Sequence, residues 1–216
     1  MNILRKPFRY SYTQVVFYLI GINVLIYLGQ RLFQNIGPYN MSLTGYLAMN
    51  PYWVVIHGWI WQFVTYMFAH DPRGFTHILF NMLGLFIFGI QVERRMGSRE
   101  FLLFYFVTGT LAGFFSFVVY LFTGTPATLL GASGAVFAVE LAFAAFFPDA
   151  IIYIWGIIPL RAPMMVLGFT VLSLFFSLTG FQSNVAHLTH LLGFAMAWLY
   201  FLVRFRINPW RAFTGR

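Results

Sequence analysis

The 216-residue sequence contains no cysteine and very few charged residues. The absence of cysteine excludes disulfides, thiolate metal sites and a cysteine nucleophile. Charged residues make up 8% of the chain, against roughly 25% in ordinary soluble domains. Hydrophobic residues make up 60%. Because so few charges could not cover a protein surface in water, we expect lipid to be the main solvent of this chain.

The abundant residues are aromatic and, among the charged ones, basic. Aromatic residues account for 21% of the chain, and 28 residues are phenylalanine, a composition suited to a lipid-facing surface. The formal net charge of +8 comes mostly from short basic clusters between apolar runs. Such clusters are typical of membrane-topology signals and not of a nucleic-acid-binding face. We therefore expect a lipid bilayer, and no nucleic acid, among the partners.

Six apolar segments are long enough, or nearly so, to cross a bilayer, which takes roughly 20 residues. The segments are 12–33, 76–92, 101–122, 131–147, 163–179 and 185–203. A further apolar run, 150–160, is too short to span and ends between Pro159 and Pro163, which indicates an interfacial strand or loop. The sequence therefore predicts an all-α membrane protein with six transmembrane helices.

The basic residues predict how these six helices are oriented. Of the 13 basic residues, all except Arg31 and Arg73, hence eleven, fall on one side of a six-helix arrangement. By the positive-inside rule that side is cytoplasmic, and both termini lie there. The chain then divides into a cytoplasmic segment at 1–11, a membrane domain at 12–203 and a basic cytoplasmic tail at 204–216.

The connection between the first two predicted helices, 34–75, is long and rich in tryptophan and tyrosine. Its second half carries aromatic and aliphatic residues at helical spacing. We therefore predict a partly helical segment that lies in the outer interface of the membrane.

A serine between glycines begins the fourth predicted helix, in the sequence Gly131-Ala132-Ser133-Gly134. At a helix N-terminus the backbone amide is unpaired, and the helix dipole favours nearby negative charge. A tetrahedral oxyanion requires those conditions, so Ser133 is a candidate nucleophile. The alternative is a capping serine beside a glycine packing seam.

The sixth predicted helix carries His190 on a face of small residues, because Gly193 and Ala197 follow at +3 and +7. That face predicts close packing against the glycines around Ser133. A neutral imidazole there could accept the serine proton and return it to a leaving amine. The alternative is a buried histidine bonded to a backbone carbonyl. We interpret His187, one turn earlier, as a neighbour and not as the base.

The second predicted helix carries His77 and Asn81 one turn apart, hence on one face. An imidazole and an amide that project inward are suitable donors to an oxyanion. The alternative is a polar hydrogen bond between helices. In the six-helix arrangement His77, Ser133 and His190 all lie a short way below the outer surface, so we expect them at similar depth.

Several of these motifs together resemble the rhomboid family of intramembrane proteases. The similar stretches are Trp61-Gln62-Phe63-Val64-Thr65-Tyr66, His77-Ile78-Leu79-Phe80-Asn81, Glu93-Arg94-Arg95-Met96-Gly97-Ser98, Gly131-Ala132-Ser133-Gly134-Ala135-Val136-Phe137 and His190-Leu191-Leu192-Gly193-Phe194. The resemblance runs in order from about Trp59 to Ala197.

The resemblance implies a serine endopeptidase in which Ser133 is the nucleophile and His190 the general base. It implies further that Phe137 stacks on His190, and that Glu93 and Arg94 hold the 34–75 segment by polar contacts. The remaining oxyanion and substrate-binding positions that it implies are His77, Asn81 and Gly131. It implies no cofactor and no metal. The expected substrates are single-pass membrane proteins, and the expected location is a bacterial inner membrane with the site open to the outer side.

Two other readings remain open at this point. One is a catalytically silent relative that binds membrane clients, although an intact serine and histidine favour an enzyme. The other is a metal at His187 and His190, whose i, i+3 spacing is compatible with metal binding. Glu140, seven residues after Ser133, has no catalytic task in this scheme. We expect it to pair with a basic residue or to reach cytoplasmic water.

Overall fold

The structure is a computed structural model that describes residues 7–124, 127–154, 156–179 and 184–214. Its elements, in chain order, are α1 (Val15–Leu32), α2 (Leu43–Leu47), α3 (Pro51–His57), α4 (Gln62–Thr65), α5 (Thr76–Met96), α6 (Ser98–Thr123), α7 (Ser133–Phe146), β1 (Ile151–Ile154), β2 (Ile158–Arg161), α8 (Ala162–Thr179), α9 (Asn184–Tyr200) and α10 (Pro209–Thr214). Helix α5 contains a π-helical stretch at Leu85–Gly89, and another, Phe201–Phe205, continues α9.

The chain is a multi-pass membrane protein built as a helical bundle. Within the described ranges, five helices are long and apolar enough to cross a membrane: α1, α5, α6, α8 and the continuous helix His187–Phe205. The fourth predicted segment instead forms α7, which has 14 residues. At 1.5 Å per residue α7 is about 21 Å long, whereas the hydrocarbon core of a bilayer is about 30 Å thick.

Helix α7 can be short because protein surrounds it. It contacts α5, α6, α8, α9 and α10. Its residues from Ala138 to Ala145 are all buried, and four of them are alanine. Small side chains let the neighbouring helices approach closely, which is how helices associate in lipid. The prediction of a helix here is therefore correct, but this helix does not have to be as long as the membrane is thick.

A close approach of two helix backbones joins α7 to α9. A Cβ atom added at Gly193 would lie 2.1 Å from the carbonyl oxygen of Gly134, and one added at Gly134 would lie 3.0 Å from Cγ2 of Thr189. No side chain fits between the two backbones at this point. The close packing that the small residues of α9 predicted is present.

The 34–75 segment folds into the three short helices α2, α3 and α4, and Gln62 holds it together. Gln62 is fully buried. Its Nε2 donates to the carbonyl of Gly45 at 3.2 Å, and its Oε1 accepts from the backbone N–H of Asn50 at 3.1 Å. A pair of backbone hydrogen bonds between Met49 and Leu129, at 2.8 and 2.9 Å, then ties the segment to the loop that leads into α7.

The short apolar run after α7 forms an antiparallel hairpin, in which Ile151 faces Arg161 and Ile154 faces Ile158. Strand structure was one of the two forms predicted for this run. Both prolines are accommodated, because Pro159 lies in a strand of a two-stranded sheet and Pro163 lies in the first turn of α8.

The expectation that Glu93 and Arg94 hold the 34–75 segment is wrong. Glu93 is fully buried and accepts from the backbone N–H groups of Val15 and Val16, at 2.8 and 3.1 Å, and from the hydroxyl of Ser98. The first N–H groups of α1 need acceptors, and Gln14 before them supplies no side-chain cap. Glu93 fills that need. Arg94 is exposed and donates to the hydroxyl of Tyr12.

A buried ion pair joins the start of α6 to the end of α9. Arg204 donates through Nε and Nη2 to the two carboxylate oxygens of Glu100, at 2.7 and 2.8 Å. The side chains are 8% and 1% exposed. The hydroxyl of Tyr200 and the backbone N–H of Phe8 donate to the same carboxylate. The guanidinium group binds both oxygens of Glu100, and the other two donors fill further acceptor sites. The buried charge of Glu100, which would otherwise be costly, is therefore satisfied.

We expect Arg204→Leu to lower the free energy of unfolding by about 3 kcal/mol, because it leaves the carboxylate of Glu100 buried without its cation. Thermal unfolding in detergent micelles measures the change. The double variant Glu100→Leu/Arg204→Leu should recover most of the loss, since neither charge then remains. Arg73→Leu, which removes the exposed partner of Asp71, is the matched control and should change little. Equal unfolding temperatures for the Arg204→Leu and Arg73→Leu variants would contradict this account.

Candidate active site

One open cavity of about 1350 Å³ runs between α5, α7, α8 and α9. It extends from the loop before α5, at Asp71 and Arg73, to the hairpin at residues 152–154. Five of the six predicted site residues line it. These are His77, Asn81, Ser133, Phe137 and His190.

The sixth predicted residue, Gly131, shapes the chain where it turns into α7. Its φ is +115°, a conformation that L side chains rarely adopt. A Cβ atom here would lie 2.7 Å from Nε2 of His77. Its N–H donates to the carbonyl of Tyr66 at 2.9 Å, which fixes the turn. Glycine is therefore required both by the backbone conformation and by the histidine beside it.

Ser133 is the first residue of α7 and is half-buried at the cavity wall. The first N–H groups of a helix have no acceptor within it, and the positive end of the helix dipole lies there. Ser133 thus contributes its hydroxyl group to the cavity wall, and its backbone N–H group has no acceptor within the helix. Val136, Phe137 and Glu140 continue the cavity wall along the same face of α7.

The imidazole of His190 is oriented by an aromatic ring. The ring of Phe137 stacks on it with the centroids 4.1 Å apart and the planes 14° from parallel. The ring of His187 stands perpendicular to it at 5.9 Å. In the part of the chain that the structure describes, no group of three or more His, Cys, Asp or Glu residues could hold a metal ion.

His77 and Asn81 line the cavity from α5. Nδ2 of Asn81 donates one hydrogen to the carbonyl of His77 at 2.8 Å, which leaves its second hydrogen available. Asn81 is 6% exposed, and its Oδ1 has no hydrogen-bond partner among the described residues. The two side chains therefore offer donors beside the hydroxyl of Ser133, together with one unused acceptor.

Comparison with known proteins shows the family of this chain. A family model described as the Rhomboid domain matches residues 57–207, which is more than half of the chain. The chain belongs to the rhomboid family. The match covers α4 to α9 and contains every residue named for the site above.

Several curated rhomboid proteins are similar to this family member. Rhomboid protease GlpG of Haemophilus influenzae is 31% identical over 135 residues, which are 62% of this chain and 63% of GlpG. RHOMBOID-like protein 12, mitochondrial, of Arabidopsis thaliana is 33% identical over 62% of this chain and 43% of its own length. Rhomboid protease GluP of Bacillus subtilis is 37% identical over 39% of this chain and 15% of its own length. The chain spans less than two thirds of each relative.

Sequence reasoning missed His70, which lies behind His77 in this rhomboid. The two rings are 5.2 Å apart, and His70 is fully buried. Burial and, to a smaller extent, the nearby His77 lower the pKa of His70 to about 4. This imidazole is therefore neutral at physiological pH. Gln30 of α1 holds its backbone, accepting from the N–H at 3.0 Å and donating to the carbonyl at 2.9 Å. No periodicity in the 34–75 segment indicates such a contact.

Of the two alternatives expected for Glu140, pairing with a basic residue is wrong, and contact with cytoplasmic water stays a prediction. Glu140 is 6% exposed, and among the described residues it has no ion pair and its Oε2 has no hydrogen-bond partner. Its neighbours on α7 are apolar, and in the described cavity lining the only arginine or lysine is Arg73, in the loop before α5. The carboxyl group instead lines the cavity, two turns from Ser133.

We expect Gly193→Ala to destabilise the fold by about 1–3 kcal/mol, because its Cβ atom must displace the carbonyl of Gly134. The displacement also moves His190 away from Ser133. Gly168→Ala in α8 is the matched control, since a Cβ atom there meets no atom within 4 Å. Thermal unfolding in detergent micelles compares the two. If both variants unfold at the same temperature, the backbone contact between α7 and α9 does not hold the bundle as described.

Proposed function

We propose that this rhomboid is an intramembrane serine endopeptidase with Ser133 as nucleophile and His190 as general base. One observation carries the proposal. The hydroxyl-bearing start of α7 and the imidazole of α9 line the same open cavity, on helices that touch backbone to backbone at Gly134 and Gly193. The names of GlpG and GluP as rhomboid proteases support the same activity.

The proposed reaction proceeds in two steps. Ser133 Oγ adds to the scissile carbonyl while His190 accepts the hydroxyl proton and then gives it to the leaving amine, which leaves an acyl-enzyme. Water then attacks the ester with His190 again as the base, which releases the new carboxyl terminus and regenerates the serine. The stack on Phe137 holds the imidazole plane during both proton transfers. No carboxylate is needed in this scheme to orient the histidine.

The negative charge that develops on the carbonyl oxygen needs donors in place before the reaction. We assign that role to the ring N–H of His77, the second Nδ2 hydrogen of Asn81 and the backbone N–H of Ser133. We place Gly131 in the substrate-binding set because its lack of a side chain leaves room for the ring of His77. His70, behind His77, is a positioning residue for that ring.

Hydrolysis in a membrane also requires water and an unwound substrate. Irregular backbone at membrane depth is tolerated where it lines a cavity or is buried in protein, as the 127–132 loop is against Met49 and Tyr66. The cavity reaches the polar residues Asp71 and Arg73 at its mouth, so water has a path to Ser133. The substrates that fit are single-pass transmembrane proteins whose helix opens locally, because a paired helical amide cannot react.

We expect the purified protein to cleave a labelled transmembrane substrate, and Ser133→Ala and His190→Ala each to lower the rate more than about a thousandfold. Asn81→Ala should lower kcat roughly a hundredfold, the usual effect of losing one oxyanion donor. Ser173→Ala is the matched control, because this buried serine of α8 does not line the cavity. Gel analysis of the cleavage products measures the activity of all four variants.

Two outcomes would contradict the assignment in different ways. The same product pattern from the parent and from both dyad variants would show that another group is the catalyst. Capture of the substrate by the parent protein without any product would favour the silent, client-binding alternative. Labelling by a fluorophosphonate, lost in Ser133→Ala, gives an independent readout of an activated serine.

We also propose that the protein lies in a bacterial inner membrane with both termini cytoplasmic. Residues 1–11 and 204–216 are then cytoplasmic, residues 12–203 form the membrane domain with α7 as the fourth of its six helices, and the cavity opens on the outer side. The distribution of the 13 basic residues supports this orientation. Protease digestion of the tail in inverted vesicles, but not in intact cells, would be the expected result; the reverse pattern would refute it.

A further inference from the structure

Glu140 is a buried carboxyl group that the proposed reaction does not use. It is 6% exposed, lines the same cavity as Ser133 and has an oxygen without a partner among the described residues. Burying an unpaired acceptor is costly, and an ionisable group inside a membrane is costlier still. A structural carboxyl of this chain shows the contrast, because Glu93 has hydrogen bonds to three donors.

We propose that Glu140 determines specificity by binding a basic side chain, lysine above all, that the substrate carries within the membrane. This inference rests on the proposed protease function. It makes the cavity a site with two parts: the serine and histidine near its mouth act on the backbone, and the carboxylate deeper in the cavity selects a substrate cation.

The position of Glu140 suits that role. Seven residues separate it from Ser133, which places both on one face of α7 with Glu140 about 10 Å deeper. Side chains of a helix lean toward its N-terminus, so the carboxyl group points back along the wall toward Ser133. Its remaining oxygen, Oε1, lies beside Gly84 of α5, where an added Cβ atom would be 3.7 Å away. Gly84 thus adds no side chain between α5 and the carboxyl group.

The unsatisfied atoms indicate which chemistry is missing. Besides Glu140, the cavity-lining residue Asn81 has a buried atom, Oδ1, that lacks a partner among the described residues. Both atoms are hydrogen-bond acceptors, so the missing ligand is a donor. Arg73 is the one arginine or lysine in the described cavity lining, and it lies at the mouth, paired with Asp71 at 3.0 Å. A cation for Glu140 must therefore come from another molecule.

A lysine of a transmembrane substrate fits this gap. Its ammonium group carries three donors on a flexible four-carbon stem, and in lipid without a partner it is costly. Pairing with Glu140 would neutralise both groups. A depth of about 10 Å corresponds to three residues of extended chain or seven residues of helix. The lysine is therefore expected roughly three to seven residues deeper than the bond that Ser133 attacks.

The test uses a set of labelled transmembrane substrates that differ at one position. Lysine is placed in turn at each position from the scissile bond to seven residues deeper, and methionine of similar length is the uncharged counterpart. The parent protein, Glu140→Leu and Glu140→Gln are compared in liposomes. Fluorophosphonate labelling of Ser133 normalises each rate to the fraction of intact sites, so that partial misfolding of a variant does not affect the comparison.

We expect a window of positions in which the parent cleaves the lysine substrate at least as fast as the methionine one. In that window Glu140→Leu should lower the lysine-to-methionine rate ratio tenfold or more. Glu140→Gln, which keeps the shape and loses the charge, should lower the ratio as well. At positions outside the window, the lysine-to-methionine rate ratio should be the same in all three proteins.

An equal lysine-to-methionine ratio in the parent and both variants at every position would overturn the role of Glu140 and leave the protease proposal intact. Failure of the parent to cleave any substrate of the set would instead refute the protease proposal, and the recognition role with it. The two failures are therefore distinguishable in one experiment.

Discussion

The contact between Gly134 and Gly193 is the constraint on which the rest of the structure depends. Lipid tails are as apolar as the helices, so helices in a bilayer associate by close packing and not by the hydrophobic effect. Here the carbonyl of α7 touches the backbone of α9 with no room for a side chain. Because Ser133 and His190 each lie within one turn of a glycine in this contact, the same packing that holds the bundle also sets the two groups against one cavity.

A second constraint follows from the length of α7. A helix of about 21 Å can remain in a bilayer of about 30 Å only if other elements complete its path. The 34–75 segment does this on one side, through the hydrogen bonds of Met49 and Tyr66 to the loop before α7. Gln62 in turn fixes that segment. The long connection between α1 and α5 is thus part of the structure that positions Ser133 at the start of α7.

The buried polar groups in the described part of the chain are of two kinds: those whose hydrogen bonds are made within the protein and those with an atom that lacks a partner. Glu93 caps α1, and Glu100 with Arg204 joins α6 to α9, each with its hydrogen bonds made inside the protein. Six buried side-chain atoms lack a partner in the described part of the chain, and three of them line the cavity. Those three belong to Asn81, Glu140 and His187. Polar atoms left open around a cavity are what a binding site for an exchangeable ligand requires.

The sequence by itself determined the class of protein and the approximate helices, and it singled out six residues of which five line one cavity. Hydropathy is a local property, so apolar runs predicted helices, and glycine spacing predicted the contact of α9. From hydropathy alone, the second helix is predicted to end at residue 92. In the structure α5 continues to Met96, because Glu93 is buried and accepts hydrogen bonds from α1. Only the tertiary structure decided which groups become partners. In the part of the chain that the structure describes, Glu93 pairs with α1 and not with the 34–75 segment, Glu140 has no cation, and the ring of His70 lies beside that of His77. Such contacts depend on how distant segments pack, which no local pattern of residues encodes.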